Sequence, residues 1–280
     1  MTRYLLKIAY FFTKLTQIDI SEMYRNFFTR SADQFGGKIS FIIHDIITQL
    51  QKVGAEKNEG IFRLSGSKQK IQELCLELND GRVTDWSKYP DNNVLCDTLK
   101  KYFRDNSERN PLIPFFIYDP LIMIPPLYQA DADVGLTKIK GLMKELSRPT
   151  YISLAFLIKY LNFVANNKES NKMDALNLAR MFGPNIMCSP MAHENPLMAN
   201  HEAQNNITQI LIERADDIFD DFYLTPDDIL TDEEIEKISH VQVNEGDIVD
   251  SMNLRELRFK SLIPYVPGYL INDPNFVRPL

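Results

Sequence analysis

Three cysteines, four histidines and one tryptophan are all that 280 residues hold of those types. Cys75, Cys96 and Cys188 are odd in number and far apart. They build neither a disulfide framework nor a zinc-ligand pair, and the histidines lack HExxH spacing. No metal site is expected, and such cysteine usage suits a reducing, cytoplasmic compartment. Phosphate-binding GxxxxGK[ST] loops, dinucleotide GxGxxG turns, kinase signatures and GxSxG elbows are also missing. Long apolar runs are scarce too. Lys7 interrupts the N-terminal stretch MTRYLLKIAYFFTKLTQI, and no small-residue cleavage site follows, which argues against a secretory signal. Nothing later reaches the length of a membrane span.

Positive charge is not in excess. Lys and Arg number 31 against 38 Asp and Glu, for a net charge of −7. A broad nucleic-acid footprint needs a clustered basic surface, so no nucleic-acid partner is expected. The acidity is uneven, however. Residues 226–250 carry nine Asp or Glu against one Lys, which leaves the remainder close to neutral. A local basic patch fits within that remainder.

What the chain does have is helical periodicity. Residues 4–28 read as a helix, with Arg3, Lys7 and Lys14 opposite Leu5, Ile8, Phe12 and Leu15. That pattern suits either packing on the following domain or lying on an anionic membrane surface. Ile39, Ile42, Ile43, Ile46, Ile47 and Leu50 predict a second helix that ends near Val53-Gly54. Ser65 or Ser67 caps a third, which Gly81 stops. Residues 94–105 form a fourth, with Leu95, Leu99, Tyr102 and Phe103 as its buried stripe. Prolines at 111, 114, 120, 125 and 126 allow only short helical pieces there. Helices are predicted near 134–146 and 150–167, the second apolar around most of its circumference and therefore central. Asn171 reads as the N-cap of a helix that Gly183-Pro184 ends. A last long helix spans 201–223, and a short acidic one lies near 231–239.

No convincing two-residue alternation occurs in 37–224, so the fold class is all-α. The organisation is an N-terminal helical extension over 1–34, a multi-helix bundle over 35–224, and an acidic, partly irregular tail over 225–280.

Three features do not serve a simple bundle. Glu59–Gly66 reads EGIFRLSG and sets Arg63 alone in an apolar, turn-flanked stretch. Lys100 and Arg104 stand four apart, a like-charged pair on one helix face. Asn177 falls inside a helix, where its amide competes for backbone bonds. No complete active site accompanies them. Such a partial set makes sense if the substrate sits in another protein, because phosphoryl transfer is catalysed chiefly by positioning and charge stabilisation.

The blocks EGIFRLSG, LKKYFR (99–104), NPLIPF (110–115) and NKMDALNLARMFGPN (171–185) together resemble the Rho-family GTPase-activating (RhoGAP) domain. They stand in that family's order and cover roughly residues 35–224. The resemblance implies that Arg63 is an arginine finger for a GTP-bound Rho/Rac-type GTPase. It implies that Lys100 meets the GTPase switch region, that Arg104 braces the finger loop, and that Asn177 contacts the GTPase near its switches. Asn171 matches the residue opening the same helix. It also implies no cofactor of the chain's own, since GTP and Mg²⁺ belong to the partner. A non-catalytic adaptor of the same fold is the rival expectation. One block departs from the family pattern: Arg104 is followed by DNSERNPL where the family has a short LPEPL turn. That puts partner preference and local rigidity in question.

Overall fold

The computed structural model describes residues 27–107, 110–190 and 200–239. Every regular element among them is helical. The predicted amphipathic face of the N-terminal extension, and the tail beyond residue 239, lie outside the described residues.

Helix α1 (Phe41–Lys52) buries Phe41, Ile42, Ile43, Ile46, Ile47 and Leu50, the three- and four-residue stripe read from sequence. It ends at Val53, where Gly54 turns the chain with φ +68°. Helix α2 (Lys68–Asp80) buries Leu74, Cys75 and Leu78 and stops at Gly81. Helix α3 (Asn92–Ser107) runs beyond the predicted Asp105. Asn106 and Ser107 hold this extra piece: Asn106 Nδ2 donates to the carbonyls of Tyr102 and Phe28, and Ser107 Oγ donates to that of Arg104.

The proline-rich stretch forms α4 (Phe115–Ile122), with Pro120 inside it, and α5 (Ile124–Ala130), with prolines in its first turn. Asp131 caps α6 (Ala132–Met143) by accepting from Asp133 N and Val134 N. Ser147 caps α7 (Arg148–Asn166), which buries ten side chains and touches α1. This is the central helix its composition predicts.

The stretch after α7 departs from expectation. Asn171 closes a single short turn, α8 (Lys168–Asn171), and Lys172 follows with φ +60°. The N-cap of α9 (Ala175–Ile186) is Asp174, whose side chain accepts from Asn177 N. Nor does Gly183-Pro184 end α9. Gly183 sits where α9 crosses α10 (His201–Glu213), and a Cβ there would meet Asn205 Oδ1 at 3.0 Å. It is a close-packing glycine rather than a stop. The predicted last long helix breaks at Arg214 into α10 and the short α11 (Ala215–Ile218). Both helices also pack on α7.

Both flanks of the bundle are pinned to it. Phe27 and Phe28 are buried, and Phe28 N donates to Asn79 Oδ1. At the other end Leu230 and Ile235 are buried, the latter on α12 (Asp232–Ser239). The acidic residues here meet cations: Asp228 with Arg148, Asp232 with Arg82, and Glu234 with Lys38. None of these cations is Arg63, Lys100 or Arg104.

Lys38 beside Glu234, with the Thr231 backbone N–H, holds that carboxyl below its ordinary range. Burial raises Asp228, but hydrogen bonds from Thr225 and Arg148 outweigh it and the net shift is downward. Lowered folded-state values stabilise the fold above the unfolded carboxylate pKa of about 4, and that stabilisation is lost as pH falls from there through the lowered folded-state values. Denaturant unfolding at pH 7 and pH 3 should therefore show a larger stability loss for the wild type than for Asp228→Asn/Glu234→Gln. An identical loss in both proteins would remove these two carboxylates from the clasp.

Candidate functional site

The stretch EGIFRLSG forms a tight loop between a 3₁₀ turn (Ala55–Lys57) and α2. Two residues in it adopt left-handed backbone: Gly60 at φ +72° and Phe62 at φ +65°. Glycine takes that conformation freely, but a bulky aromatic does so at a cost of about 1–3 kcal/mol. Burial offsets the cost. Phe62 is fully buried, with its ring edge-on to Phe182 at 4.9 Å and near Tyr160 at 6.2 Å. A fully buried phenylalanine contributes roughly 1.5–3 kcal/mol.

The turn sorts the side chains. Ile61 and Phe62 enter the core, while Arg63 and Leu64 face solvent. The N–H groups of Arg63 and Leu64 both donate to the Gly60 carbonyl at 2.9 Å. The Arg63 guanidinium has no hydrogen bond or ion pair among the described residues. A lone arginine thus stands in an apolar stretch because that stretch anchors it and holds it outward.

Two glycines make the loop possible. Gly60 N donates to the Asn171 carbonyl at 2.8 Å, and a Cβ on Gly60 would come within 2.8 Å of Leu64 Cγ. Gly66 closes against the start of α3, where a Cβ would lie 2.6 Å from Val94 N.

The resemblance assigns Lys100 to the partner's switch region and Arg104 to bracing the finger loop; in the unbound chain it is Lys100 that touches the loop. Lys100 Nζ donates to the Phe62 carbonyl and pairs with Asp97 Oδ1 at 2.8 Å, and its side chain is only 14% exposed. Arg104 is 62% exposed and approaches Asp105 at 4.0 Å. Asp97 also accepts from Gly66 N at 3.0 Å. Sequence reasoning did not single out Asp97. Its signal was the acid three residues before Lys100 on one helix face.

Asn171, which the resemblance places among the partner-binding residues, is fully buried in the unbound chain. Its Nδ2 donates to the carbonyls of Glu56 and Val164, and its Oδ1 accepts from Met173 N. It braces the loop from below through the Gly60 bond. Asn177, in the first turn of α9, is half-buried, and its amide has no hydrogen bond among the described residues. Helices α3 and α9 pack together, and Phe182 joins them beneath the loop through contacts with Phe62 and Phe103.

The nearby cysteine is not a nucleophile. Cys96 lies in the core beside the Phe62 backbone, and burial pushes its thiol up to about 12. What the surface presents is a permanently charged planar guanidinium on the loop, an Asn177 amide on α9 without a hydrogen bond among the described residues, and an exposed Arg104 on α3. That set can stabilise developing negative charge on a bound surface.

The family model of the RhoGAP domain matches residues 40–191. Mouse beta-chimaerin is 32% identical over 166 residues, covering 58% of this chain and 49% of that protein. Human Rho GTPase-activating protein 29 is 28% identical over 230 residues, covering 72% of this chain and 18% of that protein. The chain thus spans half or less of the length of these relatives. Among solved structures, the BH domain of GRAF, the GTPase regulator associated with focal adhesion kinase, superposes with a TM-score of 0.56. It is 24% identical and covers 68% of this chain and 98% of that domain. Human Rho GTPase activating protein 15 superposes at 0.55 with 22% identity, covering 64% of this chain and 82% of that structure. At those identities the structures show a shared fold. The family model spans more than half of the 280 residues, and the chain belongs to the RhoGAP domain family.

Proposed function

We propose that this protein stimulates GTP hydrolysis by a Rho- or Rac-type small GTPase, binding its GTP-bound form and supplying Arg63 in trans. The observation that carries the reading is the outward, unpaired Arg63 guanidinium on a loop whose neighbours on both sides are locked. A loop already held in place loses little backbone entropy when its arginine is inserted. The partner holds GTP, Mg²⁺ and the attacking water, and Arg63 neutralises charge developing on the phosphoryl oxygens. Such a finger contributes about 10³–10⁵ in rate, or about 4–7 kcal/mol. Among the outward groups, Arg104 and Asn177 supply partner contacts, while Lys100 and Asn171 hold the loop.

Single-turnover hydrolysis over a Rho/Rac-type panel should show stimulation by the wild type. Arg63→Ala should lose about 10³-fold or more of it and still bind GTP-loaded partner. Equal loss of binding and stimulation would contradict the finger. Binding without stimulation by the wild type itself would favour the adaptor of the same fold. Arg104→Glu should weaken affinity by at least about tenfold through charge reversal at the contact, with a smaller effect on the saturated rate. Unchanged affinity would take Arg104 out of the interface.

The basic N-terminal segment, outside the described residues, is proposed to contact anionic membrane, where prenylated partners would lie. Truncation should stop before Phe27, because Phe27 and Phe28 belong to the core. Liposomes containing phosphatidylserine should sediment the full chain and not the chain starting at Phe27. Equal sedimentation would end that role.

A further inference from the structure

Arg63 sits between two backbone groups that are both tied to one carboxylate. On one side the Phe62 carbonyl accepts from Lys100 Nζ. On the other the Gly66 N–H donates to Asp97 Oδ2 at 3.0 Å. Asp97 Oδ1 then accepts from the same Lys100 Nζ at 2.8 Å. The loop and α3 thereby form a closed circuit: Phe62 carbonyl, Lys100, Asp97, Gly66 N–H. We propose that Asp97 is a positioning residue for Arg63, setting the maximal stimulated rate rather than the affinity for the GTPase. This rests on the function proposed above.

Three observations support a positioning role. An ion pair three residues apart on a helix contributes little when exposed, but Asp97 and Lys100 are 16% and 14% exposed and so are poorly screened. The Gly66 bond reaches 31 positions along the chain, so it serves the loop and not the helix that carries Asp97. And Phe62 is in a strained backbone conformation that persists only where its surroundings over-determine it. Asp97 stands on a rigid stretch, with Val94, Leu95, Cys96 and Leu99 all buried beside it. Its charge also offsets that of the adjacent Lys100. Without Asp97 the Gly66 N–H loses its acceptor and Lys100 its counterion, and both flanks of the finger loosen together. A misplacement of about 1 Å at a reacting group costs on the order of 100-fold in rate.

The test titrates wild type, Asp97→Ala, Lys100→Ala and the double variant against a GTPase that the wild type stimulates, with Arg63→Ala as reference. Asp97→Ala should lower the maximal rate about 10- to 100-fold. Its half-saturating concentration should stay within about threefold of wild type. The double variant should be no worse than the weaker single one, because both residues act through one loop. Amide exchange at Gly66 should accelerate in Asp97→Ala while amides of α7 keep their protection, which separates loop release from global unfolding. An unchanged maximal rate, or a raised half-saturating concentration at unchanged maximal rate, would overturn the inference and leave the proposed function standing. A wild type silent with every GTPase, in an assay where a known activator works, would overturn both.

Discussion

The left-handed backbone at Phe62 is the constraint on which the face depends. It turns two successive side chains into the core and the next two into solvent, within one loop. A free chain would not hold a phenylalanine there, so the core beneath must supply the difference. It does so through Phe182 and Tyr160 around the ring and Lys100 on the carbonyl. Helices α3 and α9 therefore act as a mould for the loop. Even the glycines follow this logic. Gly60 supplies the companion left-handed residue, and Gly66 lets the loop lie against the backbone of α3.

A division of labour among the cations follows. Lys100 is spent inside, held between a carbonyl and a carboxylate. Arg63 and Arg104 remain outside. Arginine suits an outward catalytic position because its charge is permanent and its donors form a planar fork, whereas lysine's compact ammonium caps a single carbonyl well. At the described part of the acidic C-terminal flank, Asp228, Asp232 and Glu234 pair with Arg148, Arg82 and Lys38 rather than with these cations, and so clasp the flank to the bundle.

Much of the architecture was legible in the residues. The stripe of α1, the Gly81 stop of α2 and the apolar girth of α7 follow from the residue pattern, because local periodicity and tertiary burial agree there. The misreadings arise where long-range packing overrides a local signal. Gly183-Pro184 has the form of a helix stop, yet α9 continues because α10 crosses at that glycine. Asn171 has the form of a cap, yet its amide is committed to carbonyls of Glu56 and Val164, the first 115 positions away. At the site, Arg63 and Asn177 stood out as locally odd choices; the structure leaves Arg63 exposed and Asn177 half-buried. Asp97 did not stand out. Its importance comes from Gly66, a contact that no periodicity encodes. The different depths of Lys100 and Arg104 were equally invisible, since spacing puts both on one face and says nothing of burial.

The most direct test of the central claim reads the transition state itself. A catalytic group is defined by binding the transition state more tightly than the ground state. A Rho-type GTPase loaded with GDP and Mg²⁺ can be titrated with this protein in the presence and absence of aluminium fluoride, a planar mimic of the transferring phosphoryl group. The account predicts a tight complex that requires fluoride in the wild type and loses that requirement, with its tightness, in Arg63→Ala. Binding that ignores fluoride, or that depends on it equally in both proteins, would contradict a catalytic role for Arg63.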